Sequence, residues 1–178
     1  MDFSLKPHPL IAHWIPGFTF LALAWGVIHN WDVSQFAKSP SETALNTLVV
    51  IVFAFVVGQV FDAFRNAIVE PILDKWKKIE WLALLTVEHD KVELFDELYF
   101  TWYAFDWSLA LSLMVLLILE LAHLPEDHGC KVGISSATLA VAALFIWDAV
   151  SLRAEICEIT QRWKEENTQK TAGRSAGR

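Results

Sequence analysis

The stretch ALNTLVVIVFAFVVGQVF at residues 44–61 decides the fold, because it is long and apolar enough to cross a lipid bilayer. A helix needs about 20 residues to span roughly 30 Å of hydrocarbon. Three further apolar runs are present, one before this stretch and two after it. The sequence therefore predicts an all-α polytopic membrane protein, a bundle of four transmembrane helices with cytoplasmic helical extensions. The predicted spans are residues 10–28, 44–65, 100–122 and 133–153.

The composition agrees with a single membrane-embedded unit. Hydrophobic residues make up 54% of the 178-residue chain, above the roughly 45–50% that is usual for soluble domains. Residues 1–168 are predicted to form one four-helix transmembrane domain, and residues 169–178 a disordered cytoplasmic tail. Residues 71–98 mix Trp and Leu with four lysines, so they are predicted to form a cytoplasmic interfacial segment.

The distribution of Lys and Arg predicts the orientation, which follows these residues rather than the net charge of −7. With four spans, both termini and the loop at residues 66–100 share one side. That side and its edges carry all of the 14 Lys and Arg except Lys38 and Lys131. We therefore predict a multi-pass protein of the inner (plasma) membrane with both termini in the cytoplasm. Many carboxylates accompany the basic residues, so we expect no nucleic-acid partner.

Six ionisable side chains fall at one predicted depth, in the inner leaflet. Charge inside a bilayer is costly, so it is retained where it is paired or functional. At a rise of about 1.5 Å per residue, Asp62 lies roughly 27 Å below residue 44, and Asp148 roughly 22 Å below residue 133. Helical periodicity places these residues on stripes that must face the bundle interior. The six members of this charge layer are His13, Asp62, Arg65, Asp106, Asp148 and Arg153.

The charge layer has a structural and a chemical interpretation. As a structural network, Asp62 would pair with Arg65 at i, i+3, and Arg153 with a neighbouring carboxylate. Alternatively, a divalent metal ion would bind among the imidazole and carboxylates in a metal-dependent membrane enzyme that acts on a lipid headgroup or another amphiphile. No established metal or catalytic motif selects this second interpretation. Its candidate ligands are His13, Asp62, Asp106 and Asp148.

A third interpretation is a homo-oligomeric channel, pore or transporter-like protein. Inward carboxylates often mark ion or proton paths, and four spans need symmetric copies to enclose one. Ser136, Ala140 and Ala143 share one face of the fourth span, where small residues allow close helix contact. A fourth interpretation is a membrane scaffold that holds a cytoplasmic protein partner through residues 71–98. The expected partners are therefore membrane lipids, further copies of the chain and a cytoplasmic protein.

Overall fold

The structure is a computed structural model that describes residues 10–28, 43–87, 89–123 and 128–176. These residues form helices and turns without any β-strand, which confirms the all-α prediction. Short π-helical segments interrupt three of the four long helical stretches. We label these segments π1 (Leu10–Trp14), π2 (Arg65–Val69) and π3 (Glu97–Tyr103). The α-helices are α1 (Ile15–Ile28), α2 (Thr43–Phe64), α3 (Glu70–Leu73), α4 (His89–Asp96), α5 (Ala104–His123) and α6 (His128–Ala176), with a 3₁₀ helix at Trp81–Thr86.

Three helical stretches within the described ranges are long and apolar enough to cross a membrane. They are Thr47–Leu73, Lys91–His123 and Lys131–Gln169. The stretch Ala12–Ile28 is apolar but shorter. Three of the four predicted spans are therefore confirmed as helices that are long and apolar enough to cross a membrane.

Helix α5 lies at the centre of the bundle, between α1 and α6, and α1 also packs against α2. Accordingly, 56% of the most apolar 18-residue part of Lys91–His123, which contains α5, is buried. The corresponding share is 17% in both Thr47–Leu73 and Lys131–Gln169, which contain α2 and α6. Apolar side chains on the open faces of α2 and α6 would be costly in water. Such exposed apolar side chains are expected on a helix that contacts lipid or another apolar chain.

The face that α6 buries recurs every seven residues. A repeat of seven residues produces a left-handed crossing in which the side chains of one helix fit between those of its neighbour. This seam begins against α5 and continues along α6 to Trp163. Its members are Ser135, Ala142, Ala149, Ile156 and Trp163.

Helices α1 and α2 cross at two glycines with no room for a side chain. A Cβ atom on Gly17 would lie 1.8 Å from the carbonyl oxygen of Ala54, and one on Gly58 would lie 1.9 Å from that of His13. Small residues spaced in this way let two membrane helices approach backbone to backbone. The crossing fixes the position of His13 against the second helix.

Residues 70–87 and 89–98 fold back against α6 and form, with it, what we call the base of the bundle. Ile79 and Ala83 are buried here beside Phe95, Cys157 and Trp163. One side of the predicted interfacial segment therefore packs on α6, because its apolar residues contact the buried apolar face of that helix. Helix α6 itself continues to Ala176, whereas the sequence predicts disorder from residue 169. The Glu, Lys and Gln residues that precede this end favour helix and offset its low apolar content.

Candidate functional site

Arg65 begins π2 and is buried, with 2% of its surface exposed. Its Nη2 lies 2.9 Å from Asp62 Oδ1, so the predicted i, i+3 ion pair is confirmed. The same nitrogen donates to Asn66 Oδ1 at 3.0 Å, and Asn66 Nδ2 donates to Asp62 Oδ2 at 3.1 Å. The second helical stretch therefore carries one polar network in which each of the side chains of Asp62, Arg65 and Asn66 contacts the other two.

Two stacked tyrosines cover the guanidinium group of Arg65. Its central carbon lies 5.4 Å from the ring centroids of both Tyr99 and Tyr103. A cation over an aromatic face is attracted by the ring quadrupole, and the attraction increases when water is excluded. Nε and Nη1 have no hydrogen-bond partner in the structure. The burial of this charge is thus offset by the Asp62 carboxylate and by the two rings.

His13 meets this group from π1. The charges that act on its imidazole are those of Asp62 and Arg65, and its ring lies edge-on to Phe55 with centroids 6.5 Å apart. Among the described residues, its buried Nδ1 has no hydrogen-bond partner. The structure therefore brings together three of the six predicted residues, His13, Asp62 and Arg65, in what we call the Arg65 centre.

Arg153 forms a second centre, on α6. Its Nη1 donates to Glu70 Oε2 at 2.5 Å and to the Tyr103 hydroxyl at 3.1 Å. Its Nη2 donates to the Asp74 carboxylate and, at 3.1 Å, to the carbonyl oxygen of Lys77. The guanidinium group of arginine can donate five hydrogen bonds in a fixed geometry, and Arg153 donates four here. The predicted carboxylate partner of Arg153 is thus confirmed and identified as Glu70 together with Asp74.

Tyr103 joins the two centres, because its ring covers Arg65 while its hydroxyl accepts from Arg153. The charge of Glu70 also acts on both tyrosine hydroxyls. Glu70 and Asp74 are not among the residues predicted from the sequence, because both lie beyond the predicted end of the second span. Their spacing at i, i+4 after a run that ends in Arg65 was the available signal.

Asp106 and Asp148 form a carboxyl pair between α5 and α6. Asp106 is 3% exposed, and the charge of Asp148 acts on it. Asp148 lies on the open side of α6 and does not face the bundle interior as the sequence predicts. Among the described residues, no hydrogen bond or ion pair connects this carboxyl pair to the two arginine centres. The predicted layer therefore consists of two parts.

The four predicted metal ligands do not form one ligand set. His13 and Asp62 lie at the Arg65 centre, and Asp106 and Asp148 form the carboxyl pair. Within the parts of the chain that the structure describes, no group of three or more His, Cys, Asp or Glu is placed to hold a metal ion. The Arg65 cation beside Asp62 would also repel a divalent ion at that position.

Each helix that contributes to the Arg65 centre leaves α-geometry at the point of contact. His13 lies in π1, Arg65 opens π2, and both tyrosines lie in π3. Proline lacks the N–H group that a helix interior requires, and Pro16 and Pro71 follow π1 and π2 by two residues. A wider π-turn accommodates the change in hydrogen bonding, and such turns are frequent at functional sites.

Comparison with known proteins adds no relative. No protein-family model matches the chain, and no curated protein or solved structure matches it either.

Proposed function

We propose that the protein is a small integral protein of the inner membrane that acts as a homo-oligomeric channel, pore or transporter-like protein. The observation that carries this proposal is the position of Asp148. Its carboxyl group stands on the open side of α6, inside an apolar stretch long enough to cross a membrane. Its partner Asp106 is buried on α5.

A carboxylate on the outer face of a single protomer would meet lipid. An ionisable side chain at such a depth costs about 2.5–3.5 kcal/mol on insertion scales. Its neighbours Leu144 and Trp147 are 69% and 76% exposed, so this face is otherwise apolar. A second copy across the face would replace lipid by protein and water around Asp148, and the cost would fall.

Exposed small residues on α6 offer a surface for contact between copies. Ser136, Ala140 and Ala143 are all exposed in the single chain. Small residues at this spacing allow a second helix to approach closely in a membrane, where packing rather than water exclusion drives association. We propose that this face joins the copies.

Within the layer, the carboxyl pair is the group available for transport. Arg65 and Arg153 are already matched by Asp62, Glu70 and Asp74. They act as fixed countercharges that hold the helices in position. Asp106 and Asp148 have no cationic partner among the described residues, so this pair can exchange a proton or bind a passing cation at the cytoplasmic mouth.

Flux across liposomes tests the transport role. Wild-type protein should pass protons or small cations, and Asp106→Asn with Asp148→Asn should reduce the flux at least tenfold, because an amide pair cannot exchange a proton or carry charge. Glu158→Gln is the matched control, since Glu158 is exposed and paired only with Arg162 on its own helix. Absence of flux from the wild-type protein would contradict the proposal.

Disulfide cross-linking tests the contact between copies. In a Cys130→Ser background, Ala140→Cys should give a covalent dimer on mild oxidation in membranes, because a two-fold interface brings equivalent positions together. Cys157 is buried and need not be removed. Ala149→Cys is the control on the same helix, since Ala149 is 0% exposed and packed inside the bundle. Equal cross-linking at both positions would exclude this interface.

A further inference from the structure

Three lysines stand unpaired on the turn that follows α3. Lys75, Lys77 and Lys78 are all exposed. Within the described ranges, none of their ammonium groups forms an ion pair or a hydrogen bond. Most other cations of the base are paired. Lys91, for example, lies 2.9 Å from Glu166.

The acidic residues next to these lysines are already neutralised from α6. Asp74 pairs with Arg153, and Glu80 Oε1 lies 3.1 Å from Lys164 Nζ. The turn therefore presents three positive charges without local compensation. An anion is the ligand that this charge pattern would attract.

Two large apolar side chains project beside the lysines. Trp76 is 84% exposed and Leu82 is 75% exposed. The segment that carries them is nevertheless firmly held, because Ile79 is 1% exposed in the core and the Lys77 carbonyl oxygen accepts from Arg153. Their exposure is thus a feature of a fixed surface rather than of a loose loop.

We propose that Lys75, Trp76, Lys77, Lys78 and Leu82 form a docking surface for anionic phospholipid headgroups of the surrounding membrane. The apolar stretch Thr47–Leu73 ends directly before them, so they emerge at the depth of the headgroups. Tryptophan favours that depth, and basic residues beside a span attract anionic lipid. An acidic protein surface would pair with the lysines but would offer no apolar surface to cover Trp76 and Leu82. The proposal rests on membrane insertion of α2 and is independent of transport.

Lipid titration of the detergent-solubilised full-length chain tests the surface. By native mass spectrometry, the wild-type protein should bind phosphatidylglycerol more tightly than phosphatidylcholine. The triple variant Lys75→Gln, Lys77→Gln, Lys78→Gln should lose about 100-fold in affinity for phosphatidylglycerol. The matched control carries Lys91→Gln, Arg162→Gln and Lys164→Gln, which removes the same charge from cations that are already paired. The control should keep the wild-type affinity.

A second measurement separates lipid from free phosphate. Phosphatidylglycerol with brominated chains should quench tryptophan fluorescence more strongly than phosphatidylcholine with brominated chains. The Trp76→Phe variant should lose this difference in quenching. Inorganic phosphate at matched ionic strength should not displace the lipid. Equal affinity for the two lipids, equal loss in both triple variants, or displacement by phosphate would overturn the proposal.

Discussion

Replacing Gly58 by alanine should destabilise the bundle by about 3 kcal/mol, because the added methyl group has no space. Its Cβ atom would lie 1.9 Å from the carbonyl oxygen of His13 and 2.6 Å from the carbonyl carbon. Both are backbone atoms of the neighbouring helix, so no side-chain rotation can relieve the overlap. The two helices must separate, and this also moves His13 away from Asp62.

Gly133→Ala is the matched control, since a Cβ atom at Gly133 meets nothing within 4 Å. It should leave stability unchanged or raise it slightly, because alanine favours helix over glycine. The free energy of unfolding of the purified protein, measured by denaturant titration in mixed micelles, separates the two variants. Equal stability of Gly58→Ala and wild type would show that α1 and α2 do not cross this closely.

The second large effect is expected at Arg153. Arg153→Met should cost about 3–5 kcal/mol, because it leaves a buried carboxylate without its cation. Most of this cost comes from Glu70, whose side chain is 13% exposed, since the Asp74 side chain is 40% exposed and can be hydrated. The same unfolding titration measures the loss.

A rescue variant distinguishes lost charge pairing from lost packing. Glu70→Gln should recover a large part of the stability of Arg153→Met, because it removes the charge that was left unpaired. Arg162→Gln should change stability by no more than about 0.5 kcal/mol, since exposed pairs contribute little. If the double variant were no more stable than Arg153→Met, the contribution of Arg153 would be steric.

Hydrophobic patterning sufficed to predict the helical stretches, because a membrane helix satisfies its own backbone and needs only a long apolar run. The pair of Asp62 and Arg65 was predictable for the same local reason, since residues at i and i+3 are neighbours on any helix. The partners of Arg153 were not predictable in this way. Glu70 lies 83 residues away and Asp74 lies 79 residues away, so only the return of the base onto α6 brings them together.

The amino-acid sequence by itself predicted a membrane depth for each ionisable residue, because such a prediction needs only the position along a helix and the rise per residue. It could not determine the angular position of each helix around the bundle. That coordinate depends on the α1–α2 glycine crossing and on the seven-residue seam of α6, which are contacts between different helices. Six residues at one predicted depth therefore became two separate parts, an arginine–tyrosine network and a carboxyl pair. For the same reason, the four predicted metal ligands share a predicted depth but do not share a site.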